Sequence, residues 1–143
     1  MAAVYTTLTP RLVVRDARAA VAFYRDVLGA EPGMVIEEAG RVVHAEMVVA
    51  GMQMSVTESD GAYAKDPQHL GATPVVMMLV CDDPDAVAAR AVGHGGTMVF
   101  EVDDRPYGMR DGRFRDPQGH EWMVTKMLED LSAEELQRRM DGA

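Results

Sequence analysis

The sequence predicts an α+β protein in which one β-α-β-β-β unit is used twice, and three observations predict it. A β-prone run, a capped amphipathic stretch and three more β-prone runs occupy residues 5–58, and the same order returns over 74–128. GAEPGMVIE at 29–37 aligns without a gap on GHGGTMVFE at 93–101, an offset of 64 that keeps Gly, Met, Val and Glu in place. Coupled to the same order of elements, these identities argue for a duplicated supersecondary unit. Finally, 143 residues give length for one compact domain but not for two independent domains of ordinary size.

Each element has a local cause. Residues 5–14, YTTLTPRLVV, are β-prone. Asp16 then stands as an N-cap and Gly29 as a stop, with Ala17, Ala20, Val21, Tyr24, Val27 and Leu28 on one apolar face, so a helix over 17–28 lies on a sheet. GMVIEE, RVVHAEMVVA and MQMSVTES follow as strands. The stretch 59–73, SDGAYAKDPQHLGAT, is a connector rich in Gly, Pro and Asp, either a lid or a plain linker. TPVVMMLVC reads as a buried strand. Asp83 then caps, and Pro84 takes the first helical position, where its missing N–H costs nothing, opening a helix over 84–93. TMVFEV, a short RDGRFRD piece and HEWMVTKM complete the second unit. Ser132 and Glu135 stand in the capping-box relation, predicting a short helix over about 132–140. Leu131, Leu136 and Met140 could pack that helix on the body or on a second subunit.

Composition excludes several classes. With 14 Lys+Arg against 23 Asp+Glu the net charge is −9, which repels phosphate backbones and anionic lipid, so no nucleic acid is expected as a partner. The longest apolar run, VVMMLVC at 75–81, is far short of a membrane span, and MAAVYTTLTP does not read as a signal peptide, so no membrane partner is expected. The single Cys81 allows no intrachain disulfide and reads as an inert buried thiol. The expected location is cytoplasmic.

Two such modules in this length, with VVRDARAAVAFYRDVLGAE opening the first and FRDPQGHEWMV closing the second, resemble the vicinal oxygen chelate superfamily. This is the glyoxalase, bleomycin-resistance and extradiol-dioxygenase group. HAE at 44–46, YGMR at 107–110 and DPQGHEW at 116–122 look most like its PhnB-like branch. The resemblance covers residues 5–128 and implies that each module's mixed sheet curls into half of a cup, that the site lies inside, and that the chain forms a homodimer. It also implies where the metal ligands of the family's metal enzymes would fall: Thr9, a position near Gln53, Val76 and Met123. Valine cannot donate, threonine rarely does, and a thioether is too soft for Mn, Fe, Ni or Mg. No metal and no other cofactor are therefore expected.

Strand alternation sorts the faces, because neighbours point to opposite sides. With Trp122 and Val124 under a helix, Glu121, Met123 and Thr125 face the cup. The same parity turns Thr9, Arg11 and Val13 inward and places Leu12 and Val14 under a helix. It puts Val43, Ala45 and Met47 under the helices, with His44 and Glu46 inside. Met52, Met54 and Val56 go to the core, Gln53, Ser55 and Thr57 face in, and Val76 and Met78 line the remaining wall. His120 shares a face with Trp122, so the adjacent His120 and Glu121 do not form one site and His120 is structural. The expected ligand-binding set is Thr9, Arg11, His44, Glu46, Gln53, Val76, Met78, Tyr107, Glu121 and Met123, apolar walls with a few polar groups. A filled interior in which Arg11 pairs with a carboxylate is the competing reading.

Three functions fit. The first is metal-independent binding of a small, aromatic or cationic molecule in the dimer's cup, in the bleomycin-resistance manner, the negative charge favouring cations at long range. The second is an enzyme, lyase, isomerase or dioxygenase-like, with catalytic candidates His44, Glu46 and Glu121. These could form a rearranged metal site, or His44 and Glu46 could act as base and orienter without metal. The third is a dimerisation module with a filled cup.

Overall fold

A computed structural model describes residues 3–142. They fall into two compact units that meet in sequence between Ala72 and Thr73. The first contains β1 (Arg11–Val14), α1 (Ala17–Leu28), β2 (Glu31–Glu38), β3 (Arg41–Val49), β4 (Met52–Glu58) and the one-turn α2 (Pro67–Leu70). The second contains β5 (Val76–Val80), α3 (Pro84–Gly93), β6 (Thr97–Asp104), β7 (Met109–Arg115), β8 (Glu121–Met127) and α4 (Ala133–Asp141). The sheet orders are β1-β4-β3-β2 and β5-β8-β7-β6, one topology used twice. In each sheet the first strand runs parallel to the last and the remaining neighbours are antiparallel. The α+β class and the repeated order are those expected.

The helices begin where their caps place them. The Asp16 carboxylate accepts from the Ala19 N–H at 2.9 Å and that of Asp83 from the Ala86 N–H at 3.0 Å, satisfying otherwise unpaired helix-start donors. Gly29 ends α1 at φ 70°, a left-handed conformation that glycine adopts without a Cβ penalty. The inner face of α1 buries Ala17, Ala20, Phe23, Tyr24 and Val27, while Leu12, Val14, Met47, Met54 and Val56 supply the sheet side. In the second unit Val87, Ala88 and Ala91 meet Phe114, Trp122 and Val124. Each large side chain so buried contributes roughly 1.5–3 kcal/mol.

Several expectations are corrected. The first strand begins at Arg11; residues 5–10 form no strand, because Pro10 has no N–H to extend the ladder, although its carbonyl accepts from Ser55 N at 3.0 Å. The apolar β5 is an edge strand, and Met78 and Val80 are 62% and 67% exposed. Cys81 follows β5 rather than lying within it; it is half-buried, and burial raises its thiol pKa. Val42, not Val43, packs in the core, because a register shift between Ile36 and Glu37 leaves Val43 unpaired opposite β2. Met52, at the hairpin end of β4, is exposed.

The 59–73 connector is tied to the first unit by buried Asp66. Its carboxylate accepts from Ser59 Oγ at 2.9 Å and from the N–H of His69 at 3.1 Å, with Arg15 at 3.3 Å. Among the described residues no helix is long and apolar enough to cross a membrane.

Candidate functional site

In the first unit the strand register brings Arg11, His44 and Glu46 into one hydrogen-bonded chain. Arg11 pairs with Ser55 across β1 and β4, and Ser55 with Glu46 across β4 and β3. Arg11 Nη1 donates to His44 Nδ1 at 2.8 Å, and Nη2 donates to the carbonyl of Val43 at 2.7 Å, the residue that the register shift displaces. A guanidinium only donates, so Nδ1 is the acceptor and the imidazole proton lies on Nε2, facing Glu46 Oε1 at 3.1 Å. Both ring nitrogens are thereby engaged, and His44 positions Arg11 instead of offering a free lone pair. Thr9, ahead of β1, and Gln53, beside the β3–β4 turn, are exposed.

Directly opposed residues on neighbouring strands point to the same face of a sheet. In the second unit the pairs Met78–Met123, Arg113–Met123, Asp111–Thr125 and Met109–Met127 therefore define one face, opposite to Trp122 and Phe114. On it lies a cavity of about 360 Å³ whose wall includes Met78, Met109, Met123 and Met127. Tyr107, Asp111, Glu129 and Asp130 supply its polar lining, and Leu131 and Leu136, from the entrance and body of α4, its apolar side.

Asp111 is fully buried and accepts from Tyr107 Oη at 2.6 Å and Arg105 Nε at 3.0 Å. Burial, followed by the hydrogen bond to this carboxylate and its charge, pushes the Tyr107 phenol up to about 12. The phenol stays protonated; its proton is committed to Asp111, while its oxygen can still accept from a ligand. Glu121 is held between two arginines of β7, Arg113 at 3.4 Å and Arg115 at 3.3 Å. Val76 sits beside it, directly across from β8.

The residues of the D-P-x-G turn are structural. Buried Asp116 accepts from Gln118 N at 2.8 Å, His120 N at 3.1 Å and Trp122 Nε1 at 2.9 Å, and its own N–H donates to the His120 carbonyl at 2.8 Å.

Of the expected set, the structure gathers Met78, Tyr107 and Met123 around one cavity and Arg11, His44 and Glu46 into one chain. It adds Met109, Asp111, Met127, Glu129, Asp130 and two leucines, Leu131 and Leu136, that were not in the expected ligand set. Asp111 shares parity with Arg113 in the stretch read only as a short piece, and Met109, two residues earlier, lies in the YGMR motif. The leucines lie in the tail, outside the segment that carried the resemblance.

The donor set does not fit a hard divalent metal. Val76 offers no donor and Met123 only a thioether. Among the described residues no three His, Cys, Asp or Glu side chains are grouped so that they could hold a metal ion.

Two four-stranded mixed sheets, each with a helix on one face and polar or thioether side chains on the other, define the class of fold. The model of the Glyoxalase/Bleomycin resistance protein/Dioxygenase superfamily matches residues 5–124, and the chain belongs to that family. An uncharacterised protein of Mycobacterium bovis is 34% identical over 94% of this chain and 92% of its own length. The crystallised product of an Arabidopsis thaliana gene is 26% identical with a TM-score of 0.70, covering 85% of this chain and 98% of that one. The fosfomycin resistance protein FosX from Listeria monocytogenes, complexed with Mn(II) and sulfate, shares the fold at 18% identity and a TM-score of 0.69, over 96% and 99% of the two chains.

Proposed function

We propose that this protein binds a small molecule without a metal, placing an apolar body against the thioethers of the second unit. The carrying observation is the cavity of about 360 Å³ walled by Met78, Met109, Met123 and Met127, a size and lining that suit a small ligand. Methionine side chains are flexible and polarisable, so such a wall adapts to aromatic or branched shapes. The lining carboxylates, Asp111, Glu129 and Asp130, and the net charge of −9 favour neutral or cationic ligands over anions. In the first unit, Arg11, His44 and Glu46 are proposed as further ligand contacts. The HAE, YGMR and DPQGHEW motifs support a place near the PhnB-like branch, and the free Cys81 fits a reducing cytoplasm. An enzyme using His44 as base would first need Arg11 to release Nδ1.

A thermal-shift titration with Nile red, a neutral aromatic dye, and proflavine, an aromatic cation, tests the proposal. Binding to the folded state raises Tm with free ligand, by about 2.7 kcal/mol of stabilisation at 100 times Kd. Met123→Glu should abolish the shift for Nile red by placing a charge in the apolar wall. Tm values that do not respond to either dye over a wide concentration range would refute the proposal.

A further inference from the structure

The α4 helix closes one side of the cavity yet is lightly attached: none of its residues is buried. Leu136 reaches the cavity wall and Met140 is 50% exposed. What ties the helix by hydrogen bonds to the chain around the sheet's end is Arg139. Its Nη1 and Nη2 grip the two oxygens of Glu129 at 2.7 and 3.2 Å, and Nη1 also donates to the Pro106 carbonyl at 3.3 Å. Glu129 is firmly placed, because its N–H and that of Leu128 donate to the Gly108 carbonyl at 3.1 and 2.9 Å. Gly108 itself, at φ 80°, has Leu131 packed so closely that an added Cβ would lie 2.9 Å from Leu131 Cδ1. The fixed part therefore ends near Leu131, and α4 extends beyond it, joined to the unit by Leu136 at the cavity wall and, among the described residues, by the hydrogen bonds of one guanidinium.

Glu129 is at once a cavity carboxylate and the seat of Arg139. We infer that α4 is a latch over this cavity, and that an amphipathic organic cation opens it by taking the place of Arg139 on Glu129 while its apolar body lies among the methionines. The inference rests on the proposed binding site and assigns it a ligand class and a gate. A cation has to displace Arg139, whereas a neutral ligand of the same shape fills the cavity with the latch shut. Binding of the cation and release of the helix are then one equilibrium, each shifting the other.

Hydrogen exchange read over residues 133–141, with fluorescence titrations of proflavine and Nile red, tests this on the full chain. In the wild type, saturating proflavine should accelerate exchange of the helix, and Nile red should leave it unchanged. Arg139→Ala should accelerate exchange without ligand and tighten proflavine binding by about fivefold or more, leaving Nile red affinity at the wild-type value. Arg139→Lys keeps the charge but loses the two-pronged grip, and should fall between. An unchanged exchange rate in Arg139→Ala overturns the latch, and faster exchange with unchanged proflavine affinity overturns the competition. If the latch loosens but neither dye binds any of the three proteins, the cavity reading beneath the inference is what fails.

Discussion

Glu121 and Trp122 are neighbours with opposite duties, and a melt distinguishes them. Trp122 is buried against the helix side and its indole donates to Asp116, so Trp122→Ala removes a core side chain at about 3–5 kcal/mol. Asp116→Ala keeps the apolar core side chains but strands the indole N–H and the turn amides, at about 1–3 kcal/mol for each buried group left unpaired. Glu121→Ala leaves two arginines that reach solvent, Arg113 and Arg115, and should cost about 1 kcal/mol or less. Chemical denaturation of the three variants checks the order; a Glu121→Ala loss equal to that of Trp122→Ala would reverse the assignment of the strand's two faces. The faces were legible because period two separates adjacent residues. The partner of Arg11 was not: His44, Glu46 and Ser55 shared its face, and only the register between β1, β4 and β3, which periodicity does not contain, brings His44 within its reach.

At the level of elements, the caps carried the most information. Asp16, Asp83 and Ser132 each accept from the N–H three residues on, and α1, α3 and α4 begin immediately after them. Parity failed where an element was irregular or at an edge: at Val43, where the register slips, at Met52 beside a turn, and along β5, whose apolar run suggested burial that its place at the sheet edge does not give. The α4 attachment yields a pH prediction. Hydrogen bonds first from Arg138 and then from Arg139 hold the Glu135 carboxyl at about 2 against an ordinary 4.5, and Arg139 lowers that of Glu129 in the same direction. A depressed carboxylate contributes stability above its ordinary pKa and loses it as the folded-state value is approached from above. The helix should therefore fray as pH falls from 4.5 toward about 2, read by the NMR shifts of residues 133–141. Arg139→Ala should flatten that dependence, and a helix that holds until the Trp122 core melts would contradict it.

For the whole chain, the repeat was visible because order and identities recurred together, and the shared sheet order bears it out. The ligand was not legible, since methionines and leucines specify a lining rather than a molecule. Exposed apolar area bears on the quaternary structure to be expected. Met34, Val35 and Ile36 on β2 are 54%, 47% and 45% exposed, and Val75, with Met78 and Val80 on β5, adds more. Edge strands of this kind ordinarily find cover. We expect a homodimer, giving the mass of two chains by light scattering at micromolar concentration; a single-chain mass would refute it.

The knot around Asp116 bears on how such proteins are inherited. One carboxylate there organises a turn, a strand start and the only tryptophan of the chain, all without touching the proposed ligand cavity. Selection for folding alone is enough to retain that signature, while the wall on the far side of the same strand is free to exchange one chemistry for another. Folding and the proposed binding are written on alternate residues of β8, so a descendant could lose its trade and keep its surname.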